Sequence, residues 1–221
     1  MINNLKAFLF DLNGTMIDDM EYHLDVWFDV ITNDLGGTLT KAEVRAQMYG
    51  KNDEVLTRIF GEARFKEFDF EAISKAKEER YQQIYRPHLD LIHGLFDFLE
   101  TAKEKKIKMA IGSAAPPINI DFVLDNLNLR DYFPVVVSGG DVTESKPHPE
   151  VFLKAAHLLG VAPEYCIVFE DAPKGVEAAA NAGMKCVVVT TMHTIEEFQS
   201  YSNVLMFIND YTDHRLLTLG T

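Results

Sequence analysis

Short unbroken apolar runs recur along most of this chain, and helical patterns fill the spaces between them. The runs lie at residues 7–10, 107–111, 135–137, 167–169, 187–189 and 204–208. Runs of this length with no polar interruption suit strands covered on both faces, and so a parallel sheet. Helical periodicity is read over residues 94–105, 118–127, 149–159 and 175–182. Strand and helix alternating from residue 88 onward predict an α/β fold, a Rossmann-like parallel sheet with right-handed crossovers.

Residues 16–86 break the alternation. They hold no clear strand and read as helices over 22–34, 41–48, 52–60 and 70–85. Gly36, Gly37 and Gly61 punctuate the stretch and Pro87 closes it. This is the pattern of a small α-helical domain inserted after the first strand. The expected division is 1–15 with 87–221 for the core, and 16–86 for the insert.

Composition narrows the setting more than the fold. The 221 residues are 47% hydrophobic and 25% charged, ordinary values for a globular chain. Acidic residues number 34 and basic ones 21, a formal charge of −13. A field of that sign repels phosphate backbones and anionic lipid, so nucleic acid and membranes are poor partners. An anionic ligand would need cations gathered locally. Cys166 and Cys186 each sit inside an apolar run and read as buried thiols. With neither a signal-peptide pattern nor a membrane-length apolar stretch in the sequence, a cytoplasmic setting is the expectation, and with no spare apolar helix face standing out, so is a monomer.

In an open α/β sheet, ligands bind beyond the carboxyl ends of the strands. The residues following the apolar runs therefore matter most. They are Asp11-Leu12-Asn13-Gly14-Thr15, Gly112-Ser113-Ala114, a loop leading to Lys146-Pro147, and Glu170-Asp171. An Asp or Ser after a strand commonly just caps the next helix, and a lone Lys is commonly solvated. Four strand ends with complementary chemistry are far harder to read that way.

These residues resemble the four motifs of the haloacid dehalogenase superfamily. Asp11 to Thr15 match its first motif, Asp-x-Asp-Gly-Thr/Val, Ser113 its second, Lys146 its third, and Glu170-Asp171 its fourth. The helical insert matches the small cap of its first cap class. Glu21-Tyr22-His23 and Glu170-Asp171-Ala172 resemble the β-phosphoglucomutase-like branch, and the chain looks close to that branch's inorganic pyrophosphatases. The resemblance implies Mg²⁺ held by Asp11, Asp171 and the backbone carbonyl of Asn13, with Glu170 assisting through water. It implies Asp11 as nucleophile and Lys146 as the charge that shields it. Gly14, Thr15, Ser113 and Ala114 would hold the transferring phosphate, with N–H groups of the turn facing it. In the cap it implies His23 and Lys77 as substrate contacts, although Lys77, within Lys75-Ala76-Lys77-Glu78-Glu79-Arg80, reads from its neighbours as part of a solvated face. A closing cap would select a small phosphorylated substrate by size.

The chain departs from the family at position 13, where the phosphatases carry a second Asp as general acid and base. Asn13 can hydrogen-bond but cannot exchange a proton at neutral pH. General acid–base catalysis is worth roughly 10²–10⁴ in rate, so strongly reduced turnover is expected. Three readings follow: an engineered Asp→Asn replacement, which is preferred; a natural, catalytically silent phosphate-ligand binder; or chemistry that needs no acid. The cap also departs from the mutases. No arginine follows Gly50, and Ala114 to Pro117 replace the Lys-Asn pair of the phosphoglucomutases. That weighs against a phosphosugar mutase and for hydrolysis, with pyrophosphate placed slightly ahead of small organic phosphates.

Overall fold

The computed structural model describes residues 4–219. Six strands form one sheet: β1 (Ala7–Phe10), β2 (Lys108–Gly112), β3 (Val135–Val137), β4 (Cys166–Glu170), β5 (Lys185–Val189) and β6 (Val204–Ile208). Their order is β3-β2-β1-β4-β5-β6, and every neighbouring pair is parallel. The order reverses direction at β1, between β2 and β4. That is the switch point at which crossovers diverge to leave a crevice.

Alternation along β1 explains why it is apolar on both sides. Ala7 and Leu9 join Val168, Cys186, Phe152 and Ala155 in one core cluster. Phe8 and Phe10 point the other way, into an aromatic layer with Phe98, Phe133 and Phe169. Helices α5 (Leu95–Glu104), α6 (Pro117–Asn126), α7 (Glu150–Leu159) and α8 (Pro173–Asn181) supply the crossovers in this part of the chain. The α/β reading of the sequence is thus correct, and its strand boundaries move by one or two residues: β2 starts after Ile107 and takes in Gly112, while β4 and β5 start earlier, at Cys166 and Lys185. Lys185 pairs with Ile167 and Glu170 with Val188, yet a search for apolar runs stops short of both polar residues.

The chain divides into two compact units. One comprises the described residues of Met1–Asp18 and Asp90–Thr221, the other Asp19–Leu89. The second is all helical, with α1 (Met20–Asp29) running into a π-helical turn at Val30–Asp34. It continues through α2 (Lys41–Arg45), α3 (Asn52–Phe65) and α4 (Phe70–Tyr85). α2 is shorter than its sequence pattern predicts, and a Thr40–Glu43 capping box starts it. The predicted stop at Gly61 appears as a break at φ 77°, after which a further turn carries α3 to Phe65.

Candidate active site

All four motif segments lie in the α/β unit, at the carboxyl ends of β1, β2 and β4 and in the loop after β3. Lys146 sits at the centre, ahead of a cis bond to Pro147. Its Nζ is 2.6 Å from Asp11 Oδ1 and 2.7 Å from Glu170 Oε1. The second Glu170 oxygen accepts from the N–H groups of Asp171 and Ala172, each at 2.9 Å. Ala172 is the residue from which α8 springs, so one carboxylate ties the lysine to a helix start. Ser113 hydrogen-bonds Asp11, and its Oγ accepts the Ala115 N–H at 3.2 Å.

Two glycines permit this packing. A Cβ on Gly175 would stand 1.8 Å from Glu170 Oε1. A Cβ on Gly14 would stand 2.2 Å from Asp171 Oδ2, and Gly14 also needs its φ of +71°. Thr15 Oγ1 reaches Asp171 Oδ1 at 3.4 Å. The Gly14 N–H donates to Ile17 O at 2.8 Å, within the Asn13–Ile17 bridge. It therefore differs from the expectation of a donor facing a ligand, and the contribution of Gly14 is room for Asp171. The Thr15 N–H leans on Leu12 O at 3.4 Å. Asn13 and Ala114 are half-buried in the same segments.

Among the described residues, Asp11, Glu170 and Asp171 form a group whose oxygens lie within 4.8 Å of one another. Three buried carboxylates thus face one ammonium. Burial, assisted by Glu170 and opposed by Lys146, raises the Asp11 carboxyl to about 6. Burial and the two neighbouring carboxylates raise Asp171 well above its ordinary range. Burial pushes Lys146 down, but Asp11 and Glu170 outweigh it and keep the ammonium charged beyond the usual lysine range. Such a cluster has an unmet demand for positive charge.

The helical unit brings the other two predicted residues together. His23 and Lys77 are 7% and 2% exposed, so Lys77 is no part of a solvated face. Lys77 Nζ is 2.9 Å from His23 Nδ1 and 3.0 Å from Glu78 Oε2. An ammonium can only donate, so Nδ1 accepts and the ring proton sits on Nε2, which faces Asp19 Oδ2 at 3.3 Å. Tyr81 stacks on the His23 ring at 3.8 Å and donates to Asp19. Burial lowers Lys77, against Glu78 and Asp19. Asn52, at the start of α3, donates to Glu78 at 2.6 Å and extends the network. Neither Glu78 nor Asp19 stands out in the sequence, because acidic residues next to a lysine normally mark a wet surface.

Comparison with known proteins gives the family of the chain. The sequence profile of the haloacid dehalogenase-like hydrolases matches residues 8–189. A Haemophilus influenzae protein described as uncharacterized is 33% identical over 207 residues, covering 88% of this chain and 96% of that one. The phosphorylated carbohydrates phosphatase of Thermotoga maritima is 30% identical over 181 residues, covering 82% of this chain and 83% of that protein. The crystal structure of β-phosphoglucomutase from Clostridium difficile is similar at TM-score 0.80 and 27% identity, covering 94% of this chain and 92% of that one.

Proposed function

This chain belongs to the haloacid dehalogenase-like hydrolases, and from that membership we propose a phosphohydrolase of small phosphate monoesters, phosphorylated carbohydrates first among them. The observation that carries the reading is Lys146 held between Asp11 and Glu170 in a buried, net-negative carboxylate cluster. That set of oxygen donors fits Mg²⁺, a hard cation that takes oxygen ligands. Asp11 and Asp171 would hold it, with the Asn13 carbonyl, and Glu170 through water. When bound it would neutralise the carboxylates and the phosphoryl oxygens.

The residues divide the work as follows. An Asp11 oxygen attacks phosphorus, and the bond from phosphorus to the ester oxygen breaks. The leaving oxygen takes a proton, water then attacks the aspartyl-phosphate, and phosphate and the free carboxylate result. Lys146 keeps Asp11 in place and offsets charge, and Ser113 supports the same carboxylate from the β2 side. The Leu12 N–H makes no hydrogen bond among the described residues and adjoins Asp11, which leaves it for a phosphoryl oxygen. Both proton transfers fall to position 13, and Asn13 can perform neither. The helical unit, with His23 and Lys77, is the part we assign to substrate selection.

Two considerations favour an ester over pyrophosphate. The Thermotoga relative is named for phosphorylated carbohydrates. Lys77, the cap cation that the resemblance offers to a compact polyanion, is also matched already by Glu78 in a buried pair. The test is phosphate release by the Asn13→Asp variant from sugar phosphates, pyrophosphate and β-glucose 1-phosphate, with Mg²⁺ and with chelator. A gain of about 10² or more on a sugar phosphate is expected. A gain on pyrophosphate alone would overturn the substrate class. Isomerisation of β-glucose 1-phosphate with little phosphate release would make the chain a mutase, and binding without any gain would make it a silent binder.

A further inference from the structure

Three successive carbonyls of the turn after β1 are each held by a donor distant in the chain. Gly14 O accepts from Thr191 Oγ1 at 2.6 Å, Thr15 O from the Tyr211 hydroxyl at 3.0 Å, and Met16 O from the Ile92 N–H at 2.9 Å. Thr191 follows β5 and Tyr211 follows β6, on the side of the sheet away from Ser113 and β3. Neither belongs to any of the four motif segments.

Tyr211 is built to stay still. It is 5% exposed, and its ring lies 5.6 Å from Phe98 and 5.7 Å from Phe169. Its own N–H donates to His93 O at 2.9 Å. Gly94 permits that approach: a Cβ there would stand 2.8 Å from the Thr212 nitrogen. Burial, with Asp171 and Asp11 nearby, holds the phenol well above its ordinary range, so it keeps its proton and remains a donor.

We propose that Tyr211 and Thr191 are positioning residues that clamp the Gly14 and Thr15 carbonyls and so fix the turn that carries Asp11, Asn13 and the Gly14 opening for Asp171. A carbonyl held from outside fixes its whole peptide plane, because the peptide is flat. The planes of Gly14–Thr15 and Thr15–Met16 thereby set where Asn13 and Thr15 stand beside Asp11 and Asp171. Small displacements of reacting groups are costly: about 1 Å can reduce rate on the order of 10². The clamp rests on the reading of Asp11 as nucleophile for its effect on rate, but not for its effect on the turn.

The experiment therefore has two arms. In the Asn13→Asp background, Tyr211→Phe keeps the ring and removes only the donor, and Thr191→Val does the same for its hydroxyl. Each is expected to lower kcat about tenfold or more with KM within about twofold, and Thr191→Ser is expected to restore it. In the chain with Asn13, hydrogen exchange of the Gly14 amide, which is bonded to Ile17 O, is expected to quicken in Tyr211→Phe and in Thr191→Val, while amides of β1 stay protected. Unchanged exchange at Gly14 in both variants would overturn the clamp whatever the activity. So would a kcat loss that Thr191→Ser fails to restore. An inactive Asn13→Asp parent would remove the assigned reaction, and the exchange arm would still decide the clamp.

Discussion

Asp11 pays for its readiness in stability. Its carboxyl is raised from 3.8 to about 6 in the folded chain, so the folded state holds that proton more tightly than the unfolded state does. The stability from this group is complete below the ordinary value and is lost as pH rises through about 6. At neutral pH the folded site therefore carries a charge it disfavours. Asp11→Asn is expected to raise the melting temperature of the metal-free protein at neutral pH, since one of three crowded carboxylates goes and Glu170 still holds Lys146. A lower melting temperature, measured by calorimetry, would contradict this. Gly14→Ala is expected to do the opposite, through strain at φ +71° and collision with Asp171. It should cost stability and weaken Mg²⁺ binding together, which a metal titration followed by calorimetry would report. At this scale the sequence was informative wherever one residue type has few structural uses: Asp11 and Asp171 stand just past strand ends, and Lys146, in the loop after β3, is marked by the motif it resembles. Thr191 and Tyr211 carry no such mark. Nothing in a threonine or a tyrosine 177 or 196 residues from its partner marks it as a donor to a turn.

The elements show where periodicity succeeds and where charge misleads. β1, β3 and β6 coincide with their apolar runs because every residue in them is at least partly shielded. α4 is the instructive case. Its length follows from its pattern, but the burial of Lys77 and Glu78 contradicts the usual reading of a Lys/Glu-rich stretch. The two side chains neutralise one another, and His23, Trp27 and Asn52 complete their surroundings. A buried pair of this kind is strongly destabilised when one partner is removed. Glu78→Ala is accordingly expected to cost roughly 3–5 kcal/mol, read as loss of melting temperature and of α4 amide protection. An unchanged melting temperature would mean that Lys77 reaches water in solution. The short α2 and the continuation of α3 past Gly61 to Phe65 were less legible, because backbone geometry at single residues decides them.

Across the whole molecule, the charge of −13 and the carboxylate cluster act in one direction. Both disfavour an incoming phosphate, so the account requires local neutralisation before any substrate binds. Mg²⁺ must compete with protons for Asp11 and Asp171, whose carboxyls are both raised. It should therefore raise the melting temperature more at about pH 8 than at about pH 5. An equal shift at both pH values would place the cation elsewhere. No helix among the described residues is long and apolar enough to cross a membrane. The central claim is that Asp11 becomes phosphorylated, and the chain with Asn13 is well suited to test it. Acetyl phosphate has a leaving group that needs no proton, and without a base at position 13 the product should persist. The measurement is mass spectrometry of the protein after acetyl phosphate and Mg²⁺. The account predicts one phosphoryl group on the peptide containing Asp11, lost on hydroxylamine treatment and absent in Asp11→Asn. A protein that stays unmodified, or one modified on Ser113, would contradict it.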